Sequence, residues 1–180
     1  MNLFRYNADT SGLPTDALAP LANTLKGASV DNHALFSCIA ELVANVYAHA
    51  PNSEISTVKW QICLDLVDSI LTATVTDNGQ GIPTSIRQRF SDPSISAERA
   101  IAAAVEGNYQ QGRGQGLRSI REHARRSRIA SMFIESHSCF YKVDESGDTI
   151  NTSERFFAGT LIVLKISLKN TNQTHEDQTL

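Results

Sequence analysis

The sequence predicts an α/β (α+β) two-layer sandwich: a mixed, mostly antiparallel sheet with helices on one face. Three observations point there. VKWQICLD is followed at once by the β-branched run SILTATVTD, and MFIESHSCFYKV is followed by FFAGTLIVLKISL, so strands arrive in hairpins and a purely parallel sheet is excluded. Helical spacing appears in the segment from His33 to Ala50, in ISAERAIAAAVEG and in the run after Gly116. Two glycine clusters, DNGQGIP and GRGQGL, interrupt the order as a turn and a loop.

Each element has its own reason. Residues 1–30 read as an N-terminal extension; their Ala/Leu-rich piece TDALAPLANTLKGA is broken by Pro20 and predicts a loop with one or two helical turns. A single domain is expected over 31–169. Asp31 or Asn32 can cap the helix that starts near His33, and Pro51 follows its end. In VKWQICLD, Val58, Trp60, Ile62 and Leu64 alternate with Lys59, Gln61 and Cys63, which predicts a strand with one buried face. Val67-Asp68-Ser69 is the turn into SILTATVTD, which runs into DNGQGIP, a stretch that cannot continue a strand. Residues from Pro83 to Gln111 read as a connector whose piece ISAERAIAAAVEG is helical. After GRGQGL, Leu117, Ile120, Ala124 and Ile129 mark one helix face. Ser146-Gly147-Asp148 reads as a turn before the closing strand, and the polar tail 170–180 as disordered.

Composition bounds the function. At 180 residues, 41% hydrophobic and 19% charged, the chain has the balance of one soluble globular domain. A net charge of −3 argues against nucleic-acid binding. Cys38, Cys63 and Cys139 are odd in number and far apart, so they read as small buried apolar residues. MNLFRYNADT lacks the basic start and apolar run of a signal peptide, and no apolar stretch approaches the roughly 20 residues of a membrane span. The expectation is a cytoplasmic protein without a membrane partner.

The chemistry sits in three motifs. In ELVANVYAHA, Glu41, Asn45 and His49 return at every fourth position of an otherwise apolar helix. Four residues advance a helix by one turn plus about 40°, so the trio shares a face, while His33 and Ser37 fall on an exposed edge. Asn inside a helix gives up propensity, so it needs a reason. A Glu and an Asn one turn apart offer a carboxylate and an amide oxygen to one small target, which suits a hard cation such as Mg²⁺ that keeps most of its waters. Zinc fits less well, without a His-Glu-x-x-His pattern. DNGQGI follows a strand; calcium is rejected because position twelve of such a loop is Gln88, and alone the stretch is an Asn-Gly turn. GRGQGL opens a helix, where missing Cβ atoms and the helix N-terminus favour a phosphate, although it matches neither the dinucleotide nor the P-loop spacing.

In this order, ELVANVYAHA, VTDNGQGI and GRGQGL resemble the N, G1 and G2 boxes of the GHKL ATP-binding family, which includes gyrase, Hsp90, histidine kinase and MutL ATPase domains. FAGTLIVLKI resembles that family's closing Gly-Thr and final strand, and the likeness spans about residues 31 to 168. The spacing Glu-x-x-x-Asn-x-x-x-His-Ala is similar to the stand-alone anti-sigma-factor serine kinases. The resemblance implies a Bergerat-type ATP-binding fold with ATP and Mg²⁺ as cofactors. It implies Glu41 as the catalytic residue, a general base or an orienter of the attacking group, and Asn45 as the Mg²⁺ ligand. Asp77 would accept from the adenine amino group, with Gly79, Gly81 and Ile82 beside the nucleotide. Gly112, Gly114 and Gly116 would wrap the phosphates, with Gln115 and Leu117 in the same box, and Arg113 either reaching a phosphate or facing water. Thr160 would support Asp77 through its hydroxyl by way of water. His49 would pack under the lid. Arg118, Arg121, Arg125, Arg126 and Arg128 read as a solvated basic face, with docking of an acidic partner as the alternative.

Three activities compete on this likeness: a serine/threonine kinase acting on a regulatory protein partner, an ATPase driving a conformational cycle, and a nucleotide-dependent binding module with little turnover. A histidine kinase is disfavoured because residues 1–30 are too short for a dimerising helical hairpin. The short stand-alone form favours partner switching, and homodimers are common in that subgroup.

Overall fold

Alternation along the strands falls into register across the whole sheet. A computed structural model of the chain describes residues 1–27, 32–107, 116–126 and 129–168. Strands β1 (Asn2–Asp9), β2 (Lys59–Val67), β3 (Ile70–Asp77), β4 (Ser131–Asp144) and β5 (Gly147–Ser167) form one sheet in the order β1-β2-β3-β5-β4. All four pairings are antiparallel, so the parallel component of a mixed sheet is absent among the described strands. One row of side chains runs Tyr6, Ile62, Val75, Ile162, Ile134; the next runs Phe4, Leu64, Ala73, Leu164, Met132. Both rows lie on the face that carries the core. The opposite face presents Thr72, Thr74 and Thr76, all half-buried. Asp68 and Ser69, both at positive φ, make the tight two-residue turn between β2 and β3.

Helices α1 (Pro14–Gly27), α2 (Asn32–His49), α3 (Gly81–Phe90), α4 (Ala97–Glu106) and α5 (Gly116–Arg125) supply the second layer. Leu35, Ile39, Leu42, Val43 and Val46 sink α2 into the core. Ser96 caps α4 by accepting from the Arg99 N–H at 3.3 Å, and Gly107 ends it at φ 62°. Leu117, Ile120 and Ala124 bury one face of α5, and Ile129 is buried just beyond it. All three cysteines are free and buried.

The structure departs from the sequence reading in four places. Residues 2–27 are a strand and a helix rather than a loop. Ala17, Leu21 and Leu25 on α1 are buried against the core, and that burial outweighs the backbone bond lost at Pro20. The connector after DNGQG begins with α3, because Pro83 sits in the first helical turn, where its missing N–H has no intrahelical partner to lose. Strand β5 starts at Gly147, with the hairpin tip at Glu145-Ser146, so it is longer than the segment FFAGTLIVLKISL. Arg118, Arg125 and Arg126 are exposed, as read, but Arg121 is half-buried; both Arg121 and Arg125 pair with Asp148, Arg125 Nε at 3.0 Å from it, and so link α5 to the β4–β5 hairpin. Asp31, Arg128 and the tail 170–180 lie outside the described residues.

Leu21 tests whether the N-terminal segment is part of the fold. It is 0% exposed, so Leu21→Ala is expected to cost about 2–5 kcal/mol in urea unfolding, where an appended segment would show almost none.

Candidate nucleotide-binding site

Helix α2 has two characters. Its apolar residues pack inward, while Glu41 and His49 are exposed and Asn45 is half-buried between them. The Asn45 Nδ2 is shielded from solvent and has no hydrogen-bond partner among the described residues. A buried amide group left unpaired is costly, which marks this position as one that awaits a polar ligand.

Beneath α2 lies the end of β3. Asp77 is 7% exposed. Its Oδ1 accepts the Gly79 N–H at 2.8 Å. Thr160 stands directly opposite in the ladder, and its backbone N–H and hydroxyl favour the ionised carboxylate. Burial pushes the Asp77 carboxyl up to about 6, and the hydrogen bonds from Gly79 and Thr160 offset part of that rise.

The chain after Asp77 folds hard onto the end of α2. The Gln80 N–H donates to the Ala50 carbonyl at 2.9 Å, and the Gln80 side-chain amide donates to the carbonyls of His49 and Pro51 at 2.8 and 3.0 Å. A Cβ on Gly79 would sit 2.5 Å from Ala50, so Gly79 is required by this packing, outside the cleft lining. Gly81 has φ +75°, and a Cβ there would meet the His137 ring at 2.8 Å. A bulge in β4 completes the seam. Ser136, fully buried, donates to the Gly159 carbonyl at 2.7 Å and accepts the Ile82 N–H at 3.0 Å. His137 Nε2 bonds the Gln80 carbonyl at 3.0 Å, and a Cβ on Gly159 would overlap the Asp77 carbonyl.

These pieces border one open cleft of about 810 Å³, its mouth included. Asn45, Asp77, Gly81, Ile82, Gly116, Leu117 and Thr160 all line it, with Leu42, Val46, Val75, Ile86 and Ile162 as apolar walls. Glu41 stands at the rim. A Cβ on Gly116 would come within 2.7 Å of its Oε2, so a side chain at the start of α5 would push the carboxylate aside. Gly112, Arg113, Gly114 and Gln115 lie outside the described residues. Among those described, no three His, Cys, Asp or Glu side chains converge as a metal cluster. Sequence reasoning missed Gln80, Ser136 and His137. The buried-face alternation Met132, Ile134, Ser136 carried a signal for one of them, a hydroxyl at a core position.

A cleft between a polar-striped helix and a sheet, floored by a buried carboxylate and closed by a glycine-opened helix, defines a class that the sequence comparison bears out. The family of histidine kinase-, DNA gyrase B- and HSP90-like ATPases matches residues 30–170, and the chain belongs to it. The protein is thus an ATP-binding domain of the GHKL type. No curated protein matches the sequence. No helix among the described residues is long and apolar enough to cross a membrane.

The raised Asp77 carboxyl makes a stability prediction. Between the ordinary aspartate range near 4 and about 6, the folded state keeps a proton that the unfolded chain releases. Stability from this group is therefore fully present below pH 4 and is lost as pH rises through 6, by on the order of 1–3 kcal/mol. Asp77→Asn is expected to melt higher than the parent at pH 8 and to converge with it near pH 4, as read by thermal denaturation across pH.

Proposed function

We propose that the protein binds Mg²⁺–ATP in this cleft and acts as a regulatory protein serine/threonine kinase of the partner-switching kind. The observation that carries this reading is the placement of Glu41. It lies one turn from Asn45, exposed on the rim with its carboxylate against Gly116. A base in that position meets groups arriving from outside, such as a hydroxyl on a protein partner.

The remaining roles follow from the chemistry of the walls. The Asp77 carboxylate accepts a hydrogen bond from the adenine amino group, and Ile82, Val46 and Ile86 flank the base. A nearly dry carboxylate is the strongest acceptor available for that donor. The residues fit a magnesium nucleotide: the buried Asn45 Nδ2 lacks an acceptor, which a phosphate oxygen would supply, and the amide's other atom, Oδ1, is the oxygen type that suits a hard ion that keeps its waters. Asn45 would hold Mg²⁺, which neutralises phosphate charge. The first turn of α5, from Gly116, has backbone N–H groups without intrahelical acceptors to offer the outer phosphates, and the sequence before it, Gly112, Arg113, Gly114 and Gln115, has the glycines such a site would need. Glu41 takes the proton of the attacking hydroxyl while the oxygen bonds to the γ-phosphorus. The bond from that phosphorus to the bridging oxygen breaks and ADP leaves.

Labelled ATP with Mg²⁺, supplied with and without candidate regulatory proteins, tests the reading. Label on a serine or threonine of a partner is expected. Phosphate released without any partner would instead make the protein an ATPase, and saturable binding with neither would make it a binding module. Glu41→Ala is expected to lower transfer about 100-fold or more while the Kd for Mg²⁺–ATP stays within about threefold. Asp77→Asn is expected to weaken ATP binding at least about tenfold, and the parent's affinity should fall below pH 6 as the acceptor becomes protonated. Unchanged ATP affinity in Asp77→Asn would remove the adenine assignment.

A further inference from the structure

Three polar side chains line the cleft without a role in the account above: His49 on the last turn of α2, and Ser85 and Arg89 on α3. Gly81, Ser85 and Arg89 are four residues apart, so α3 turns one face to the cleft along its whole length. The helix is fixed at both ends. Its first turn hangs on the Ser136 hydroxyl through the Ile82 N–H, and near its last turn Arg87 Nε donates to the Ile95 carbonyl at 2.7 Å. Arg89 therefore reaches the cleft from a helix tied to β4 at one end and to the segment before α4 at the other.

Helix α2 supplies a ruler for what lies opposite that wall. Glu41, Asn45 and His49 follow one another in steps of about 6 Å. Ala50, next to His49, touches the turn that follows Asp77. The base end of the cleft is thus at Ala50 and the reacting end at Glu41 and Gly116. A nucleoside triphosphate laid between them passes His49 with its ribose and first phosphate before reaching Asn45. Arg89 is near enough for its charge to oppose protonation of His49, whose ring is already held below the usual histidine range by desolvation. A permanent cation and a neutral imidazole therefore flank that stretch. A ribose needs hydroxyl partners but no cation; a phosphate matches the guanidinium fork.

We propose that Arg89, assisted by His49, binds the α-phosphate of the adenine nucleotide. This rests on the Mg²⁺–ATP reading of the same cleft. It makes α3 a second anion-binding wall, separate from the glycine-opened start of α5, and it makes AMP a ligand that the cleft holds better than adenosine.

Calorimetric titration of adenosine, AMP, ADP and ATP into the parent, Arg89→Ala, Arg89→Lys and His49→Ala separates the possibilities. Arg89 is exposed, so its variants are expected to fold, which thermal denaturation checks. Arg89→Ala should weaken AMP, ADP and ATP by one common factor of about ten and leave adenosine within about twofold. Arg89→Lys should recover part of the loss, and His49→Ala should show the same phosphate-dependent pattern at smaller size. Equal loss on adenosine, loss confined to ADP and ATP, or no loss at all would overturn the α-phosphate assignment while leaving the nucleotide site intact. Failure of the parent to bind all four ligands would overturn the Mg²⁺–ATP reading itself, and this inference with it.

Discussion

A carboxylate kept almost entirely out of water at the end of the central strand is the constraint on which the site depends. Asp77 can stay there because the Gly79 N–H donates to it and the neighbouring Thr160 favours its ionised form. Pointing the Gly79 N–H inward forces the chain to reverse within two residues. That reversal drives Gly79 against Ala50 and lays Gln80 across the carbonyls that end α2. One buried charge thereby joins β3, β5 and α2. The cost persists as a carboxyl shifted to about 6, which is tolerable in a group whose task is to meet a donor and undesirable in one that serves only to hold the fold.

The neighbouring positions in the same cross-strand row extend this seam. Trp60, Asp77, Thr160 and Ser136 stand side by side on four strands. The two rows nearer the sheet centre are wholly apolar at the corresponding positions from β2 to β4. The row at the cleft end therefore changes character where the sheet meets the site. Ser136 links this row to the start of α3, and the bulge beside it turns His137 to the Gln80 carbonyl. The imidazole lies under the exposed Phe156 ring, 5.0 Å between centroids, so the bulge is covered on its outer side.

The opposite wall is positioned by charge rather than by apolar burial alone. Arg121 and Arg125 converge on Asp148, and this joins the later turns of α5 to the hairpin between β4 and β5. The buried face of α5 lies on the core and Arg121 and Arg125 on its polar face meet Asp148. Gly116, at its first position, then comes close enough to Glu41 that a larger residue would displace the carboxylate. The rim geometry of the catalytic candidate is thus linked to an ion cluster about two turns along the same helix.

Patterns with a period of two or four residues were legible in the chain because backbone geometry alone imposes them. The alternation from Val58 to Leu64, the stripe Glu41–Asn45–His49 and the buried face of α5 are of this kind. The motif order carried the family, since the N, G1 and G2 boxes hold their own local chemistry. What the sequence did not disclose depended on distant partners. The burial of α1 needed a core to bury into, so Pro20 looked decisive when it was not. Arg121 looked solvated until the hairpin brought Asp148 to it and, with it, the still exposed Arg125. The pairing of Thr160 with Asp77, and the support from Ser136, exist only because strand register sets those residues in one row. Register is chosen by the summed packing of the whole sheet, which no local stretch of residues contains.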